Sequence, residues 1–411
     1  MDHARFAAVS RFLAALDTRR GLVRGGLAAL GLGVLGLDDA AAQRRARRKR
    51  KQKGSNRGRG GQVGAANCTV CDDEDDCPFT SIQDAINGVS AGSTITVCKG
   101  TYKEDITIDK DLSLVADQGE DVELEGTGDG SVVTVAAQVT ATIDGMVIYD
   151  GVGTAIDGAR SGGGILNHGD LTVTNSIIEN NEAEFGGGIF NVTNARLTLD
   201  NTILQENEAT SDAGNTFGGG IYNRFGAEVN MINGSQIVES EAHNAGGIYN
   251  NGVLNISGRS QVLDNKVDFD GGGILNDEGD ITIDGSMVLG NQAKGTGGGI
   301  LNFNGSLVIR NNSEIGDNEA ELGGGIFNQQ PATLTLIDSA VTNNEADDLG
   351  GGIFNGGGSV ELQSSTVFEN DANDTGGGIY NTQGGVVTLD EQSAVVDNKP
   401  NNCVGTNACG A

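Results

Sequence analysis

The chain has 411 residues, with 67 Gly, only 3 Pro and no Trp, a composition that excludes collagen and proline-rich linkers and fits many tight turns between short strands. Its 56 Asp and Glu outnumber 26 Lys and Arg, and the excess is unevenly placed: residues 43–60 hold 10 basic and no acidic groups, residues 61–411 hold 11 basic and 52 acidic. A body of that sign repels phosphate, which excludes nucleic acid as a partner.

Residues 1–42 read as an export signal. Arg19 and Arg20 precede an uncharged 13-residue stretch, Gly25 to Leu37, the length of a signal-peptide apolar region and too short to span a bilayer. Ala40 and Ala42 form a small-x-small cleavage site. Thr-Arg-Arg-x-Leu from Thr18 resembles a twin-arginine signal; the alternative is an ordinary secretory signal. No other stretch is long and apolar enough to span a membrane, so the mature chain is expected to be secreted or held at the cell surface.

Residues 43–66 form a basic tail. Its charges lack an apolar anchor, so it is expected to be disordered, and its charge opposite to the body's leaves two options: folding back on the acidic body, or reaching an anionic cell-wall polymer or lipid surface. Next come Cys68, Cys71 and Cys77, then Cys98; Cys403 and Cys409 close the chain. An even count in an exported chain reads as disulfides. Cys403 is expected to bond Cys409, and Cys98 to bond one of Cys68, Cys71 or Cys77. The rival is a metal site, because Cys68-x-x-Cys71 has ligand spacing; no histidine lies nearby. The loop "CDDEDDC" offers the hard oxygens that calcium takes, but the default is a solvated acidic loop, and no cofactor or metal site is assigned.

"FTSIQDAINGV" from Phe79 places Ile82, Ala85, Ile86 and Val89 at helical spacing. It reads as a short amphipathic helix covering the open end of a stack of strands. From "TITV" onward the apolar residues alternate, as in strands.

The body then repeats. Gly-Gly-Gly-Ile-x-Asn or a close variant occurs nine times, ending at Asn167, Asn191, Asn223, Asn250, Asn276, Asn302, Asn328, Asn355 and Asn381. The spacings are 24, 32, 27, 26, 26, 26, 27 and 26. Each unit adds a segment such as "LTL" from Leu334 and a Ser/Thr-x-apolar segment such as "SAVTNN" from Ser339, giving three short strands and three turns. Such a unit cannot bury its own apolar face, but stacked coils share one core. This predicts an all-β, right-handed parallel β-helix with a short N-terminal capping helix. The glycines are expected to supply turn conformations closed to other residues. The repeat isoleucines should stack inward, and the motif-ending asparagines should form an amide ladder at a left-handed corner. A second ladder is expected from Asn181, Asn207, Asn265, Asn291, Asn318, Asn344, Asn370 and Asn398, with Ser240 in place of one member. The organisation is then a signal at 1–42, a basic tail at 43–66 and the β-helix at 67–411. Within the helix, the cap is 67–98, the coils run from about 161 to 400, and a Cys loop occupies 401–411.

The cap and opening strands resemble the start of the pectin-lyase-like β-helix superfamily, which includes pectinesterases. The Gly-Gly-Gly-Ile-x-Asn units resemble polymorphic outer membrane protein repeats, with Gly in place of that motif's Ala. A self-sufficient autotransporter is not expected, because no β-barrel follows the last coil. Enzymes of the resembled superfamily cleave or de-esterify acidic polysaccharides. Their pectinesterase site needs aspartates, glutamines, an arginine and a nearby Trp, and this chain has no Trp. Arg160, Arg196 and Arg224 are the arginines a lyase of that fold would use as base. His168 and His243 read as turn residues, and the 32-residue spacing marks an insertion, Thr210 to Phe217.

One column remains: Leu166, Phe190, Tyr222, Tyr249, Leu275, Leu301, Phe327, Phe354 and Tyr380 come directly after the repeat isoleucines. Strand alternation turns them outward, as a stripe for glycans or proteins; the alternative is partial burial at the corner. The expected function is non-catalytic adhesion or interaction. The alternatives are a polysaccharide lyase or hydrolase acting on acidic glycans, and a structural spacer.

Overall fold

The computed structural model describes residues 68–72, 77–117, 121–211, 214–406 and 408–409. The export signal, its cleavage site, the basic tail and the centre of the acidic loop lie outside the described residues.

Helix α1 (Ile82–Gly88) begins where the Ser81 hydroxyl accepts the Asp84 N–H, and it buries Ile82, Ala85 and Ile86. The Glu104 carboxylate accepts from the Ile82 and Gln83 N–H groups and from the Ser81 hydroxyl, at 2.7, 3.0 and 2.8 Å. The first coil thereby satisfies the orphan donors of the helix. The helix joins the same apolar cluster as the coils, so it closes the first rung's core.

Beyond it the chain winds through three parallel sheets of twelve strands each. The Leu-Thr-Leu segments form the first, from Ser93–Val97 to Val386–Leu389. The Ser/Thr-x-apolar segments form the second, from Gly100–Lys103 to Ala394–Val396. The Ile-x-Asn segments form the third, from Ile106–Ile108 to Cys403–Val404. This is a right-handed parallel β-helix. Twelve rungs about 4.8 Å apart make a rod roughly 50 Å long.

Equal repeat length gives in-register pairing, so each residue meets its counterpart: Ile300 pairs with Ile326, Leu301 with Phe327, Asn302 with Asn328. The repeat isoleucines from Ile165 to Ile379 form one inward stack with no exposure. The motif asparagines lie beside it in one buried column, each amide donating to the next amide oxygen at 2.7–2.9 Å. In the second column, Asn265, Asn291, Asn318, Asn344 and Asn370 each donate to the next asparagine at 2.9–3.0 Å. A third buried column is made of hydroxyls. The backbone N–H groups of Ser286, Ser339 and Ser365 donate to Ser313, Ser365 and Ser393 one coil on, at 3.1–3.2 Å.

Four details differ from the sequence reading. Most coils carry a fourth strand, as short as Glu182–Ala183, and these pair into an eight-stranded sheet. Two residues are too few to show a period, so alternation missed them. The motif asparagines are not left-handed; that conformation falls on the residue before the second asparagine column, such as Asp264 (φ 53°), Asp317 (φ 55°) and Asp397 (φ 57°). Only the first glycine of each triplet has positive φ, for example Gly297 at 66°, and Ala245 fills that place in one coil at 56°. The second and third glycines serve close approach instead. A Cβ on Gly298 would lie 2.3 Å from the Glu319 carbonyl oxygen, and one on Gly299 2.6 Å from that of Gly325. Finally, the column after the isoleucines is not an open stripe: Leu275, Leu301, Phe327 and Phe354 are buried in an apolar cluster outside the third sheet. Ala245, in the place of a triplet's first glycine, packs into that cluster with Phe217, Leu322 and Leu349, from the segments that precede three of the triplets.

The cysteines pair as Cys68–Cys98, Cys71–Cys77 and Cys403–Cys409. The Cys68, Cys71 and Cys98 sulfurs lie within 4.8 Å of one another, so the thiol grouping that suggested a metal is two disulfides side by side.

Candidate functional site

The outer side of the third sheet is where the repeat departs most from plain aliphatic packing. In the middle coils the column turns aromatic. Phe190 stacks on Tyr222 (5.0 Å between centroids) and Tyr222 on Tyr249 (4.5 Å), while Phe217, from the insertion, meets Tyr249 edge-on at 5.2 Å. In-register pairing places these rings one per rung, so their order is set by the repeat.

Polar groups gather along one edge. The Tyr249 hydroxyl donates to the Asp277 carboxylate at 2.6 Å. Burial first, then Asp277, holds this phenol protonated well above its ordinary range. Burial also raises Tyr222. The Arg224 guanidinium lies 5.7 Å from the Phe190 ring centre and 3.6 Å from Asp157. One phenol, one guanidinium and one carboxylate on a ring surface can bind and orient a polar partner. Asp277 is engaged by Tyr249, and Arg224 by Asp157.

The other sequence candidates are dispersed. Arg196 pairs with Glu228 (3.7 Å), and Arg160 reaches the Val152 carbonyl (3.4 Å). The three arginines therefore do not converge. Half-buried His168 is pushed below the usual imidazole range by desolvation. His243 stacks on exposed Phe269 (5.9 Å), and its backbone N–H donates to Thr216 of the insertion (3.1 Å). The insertion is thus built into the wall of the aromatic column. The nine motif asparagines come together as one buried column, of which only Asn381, near the end of the rod, keeps some exposure.

The fourth sheet presents an acidic surface that sequence reading treated only as net charge. Register stacks Glu182 on Glu208 on Glu241, and Glu319 on Glu345 on Asp371. Burial, then Glu182 and Glu241, raises the Glu208 carboxyl; burial, then Glu239, raises Asp264. Lys266 interrupts the column, and Lys294 bonds Asp268 at 2.6 Å, holding that carboxyl below its ordinary range. A column of carboxylates is visible in the sequence once the coil length is known. The signal was the Glu-Ala or Asp-Ala pair that follows Asn181, Asn207, Asn318, Asn344 and Asn370.

No protein-family model matches the chain, and no curated protein matches it. Its likeness to polymorphic outer membrane protein repeats therefore rests on the motif. Among solved structures it is similar to PfbA, a surface adhesin of Streptococcus pneumoniae: 11% identity, TM-score 0.44, covering 80% of this chain and 94% of that one. It is also similar to the pectin methylesterase of Aspergillus niger in deglycosylated form: 14% identity, TM-score 0.37, covering 67% and 86%. At these identities and scores neither one lends a residue role or an activity to this chain.

Proposed function

We propose that the chain is an exported β-helix protein, held at the cell surface or secreted, that works by binding and not by catalysis. The observation that carries this reading is the rod itself. Coil after coil repeats in register, its core is closed by a helix and disulfides at one end and by a disulfide loop at the other, and Arg160, Arg196 and Arg224 engage structural partners. Such a body is a rigid spacer with addressable faces. Disulfides at both ends suit an oxidising compartment. No helix among the described residues is long and apolar enough to cross a membrane. Attachment falls to residues 43–60, whose ten basic groups suit an anionic wall polymer or lipid surface. Each Lys or Arg near such a surface contributes roughly 1 kcal/mol, and salt screens it.

The test is sedimentation of the exported protein with anionic vesicles and with cell-wall material. Binding should occur at low salt, be lost at high salt, and be absent for a chain beginning at Gly61. Equal binding by the shortened chain would sink the attachment reading. Incubation with a panel of acidic polysaccharides, with and without calcium, should leave their chain lengths and esters unchanged; cleavage or de-esterification would move the protein to the enzyme class.

A further inference from the structure

Four of the six cysteines meet at one place. They bond in pairs, Cys68–Cys98 and Cys71–Cys77, and the sulfurs of Cys68, Cys71 and Cys98 lie within 4.8 Å of one another. The remaining disulfide, Cys403–Cys409, stands in the last rung at the far end of the rod. Backbone hydrogen bonds hold the four together independently of the S–S bonds. The Thr69 and Val70 N–H groups donate to the Thr96 carbonyl at 2.8 and 3.1 Å, and the Cys98 N–H donates to the Val70 carbonyl at 2.9 Å. These bonds lay Cys68 beside Cys98. The Cys71 N–H donates to the Phe79 carbonyl at 3.1 Å, and the Phe79 N–H to the Thr69 carbonyl at 3.2 Å, which returns Cys77 to Cys71. Val70 is buried in the first rung's core, and Cys68 and Cys71 are themselves buried. The Tyr102 hydroxyl adds a bond to the Cys98 carbonyl at 2.9 Å. Reduction therefore leaves four thiols gathered on a framework that other bonds maintain.

Four gathered thiols have a second way to be satisfied. Zinc takes four thiolates tetrahedrally at about 2.3 Å, which sets the sulfurs about 3.8 Å apart. The three sulfurs within 4.8 Å of one another are separated on that scale. The order along the chain suits it as well. Cys68-x-x-Cys71 supplies a ligand pair on one short turn, as structural zinc sites do, and Cys77 and Cys98 complete the set. Soft thiolates select zinc over the calcium or magnesium that carboxylates take, so the acidic surface of the rod does not compete for it.

We propose that in the reduced chain Cys68, Cys71, Cys77 and Cys98 form a tetrathiolate site for one Zn2+, which fastens the N-terminal cap until disulfides replace it. Zinc binding displaces the four thiol protons. A disulfide oxidant then exchanges metal for disulfides. It takes two electrons for each bond formed, and its own bond is reduced to two thiols, which take up two protons. Cys68–Cys98 and Cys71–Cys77 form in this way as Zn2+ leaves. A chain made in a reducing compartment and exported, as residues 1–42 read, passes through both states. The exchange rests on the exported reading; zinc binding by the reduced chain does not, so either can fail alone.

The full chain is reduced with a water-soluble phosphine, which becomes its oxide with the oxygen of water as each disulfide gains two electrons and two protons. It is then freed of reductant under anaerobic conditions and titrated with Co2+, followed by Zn2+. Co2+ should give the visible and near-ultraviolet bands of a tetrahedral thiolate site, saturating at about one ion per chain, and Zn2+ should bleach them. The oxidised chain should give neither result. Alkylation of the zinc-loaded reduced chain, read by mass mapping, should be at least about tenfold slower at Cys68, Cys71, Cys77 and Cys98 than at Cys403 and Cys409. Cys68→Ser with Cys98→Ser should abolish the cobalt bands, and Cys403→Ser with Cys409→Ser should keep them. Equal zinc uptake by the oxidised chain, or a pale octahedral cobalt spectrum, would place the metal on surface carboxylates and overturn the proposal. Equal alkylation of all six cysteines in the presence of Zn2+ would also overturn it, and that comparison requires no variant to fold.

Discussion

Asn302→Ala removes one rung from the middle of the motif-asparagine column. The Asn302 amide donates to the Asn328 side-chain oxygen (2.9 Å) and to the Thr333 carbonyl (3.0 Å), and its own oxygen accepts from Asn276 (2.9 Å). Truncation leaves one N–H of Asn276 and the side-chain oxygen of Asn328 facing a cavity that offers no donor or acceptor. Asn276 keeps its second bond, to the Gly279 carbonyl at 2.8 Å, so one group is orphaned on each side. Each buried group left unsatisfied costs about 1–3 kcal/mol, which puts the loss near 3 kcal/mol. Asn381→Ala is the control. Asn381 accepts from Asn355 at 2.7 Å, but both its donated bonds go to backbone carbonyls, and it is 8% exposed near the rod's end. One ladder neighbour is orphaned there, so the loss should be about half as large. Urea melts compare the two variants at unchanged m-value. Because a solenoid can open in sections, amide hydrogen exchange in the strands Ile274–Asp277 and Ile326–Gln329 should show the local opening that the midpoint averages. Equal losses below about 1 kcal/mol at both positions would refute the view that the amides are coupled from coil to coil.

Gly298→Ala should destabilise more than Gly297→Ala. The first drives a Cβ against the Glu319 carbonyl oxygen of the next coil, 2.3 Å away; the second adds the left-handed penalty of about 1–2 kcal/mol and a Cβ 2.6 Å from the Leu301 nitrogen of its own coil, an arrangement that Ala245 already accommodates in one coil. A reversed order in denaturant melts would contradict the close-approach account of the second glycine. Ser240→Asn should stabilise by about 1 kcal/mol, because it restores the missing member of the second amide column between Asn207 and Asn265; a lower melting temperature would show that the site lacks room. Glu208→Gln should raise the melting temperature at neutral pH, since burial and Glu182 and Glu241 hold Glu208 above its ordinary range. A carboxyl whose folded-state pKa is raised destabilises the fold above that value, and the penalty fades as pH falls through it toward the unfolded value of about 4.3. Mild acidification should therefore stabilise the parent more than the Glu208→Gln protein, and identical pH profiles would remove Glu208 from the account.

Much of the fold was legible in the chain because a solenoid is nearly one-dimensional. A near-constant interval of 26 or 27 residues between most motif asparagines forces like onto like, so a column read down the sequence is a column in space. The inward isoleucines and the fact of a parallel β-helix came from that interval and strand alternation alone. The cap was legible too, because Ile82, Ala85 and Ile86 share one helical face.

What lay outside the repeat's arithmetic was decided in three dimensions. Alternation turned Tyr222, Tyr249 and Phe327 outward correctly, yet their exposure depended on whether Phe217, Leu322 and Leu349 from the preceding segment covered them. The three triplet glycines look alike in sequence, but the first answers a dihedral angle and the turn of its own coil, while the other two answer the distance to the next coil, a quantity the chain does not display. Which of Cys68, Cys71 and Cys77 meets Cys98 likewise depended on how the chain enters the first rung, where the bridge of Val70 to Val97 brings Cys68 to Cys98 and leaves Cys71 with Cys77. Period and alternation set which residues stack and which way they point; coverage and approach depend on the atoms brought against them, and those belong to segments whose order obeys no period.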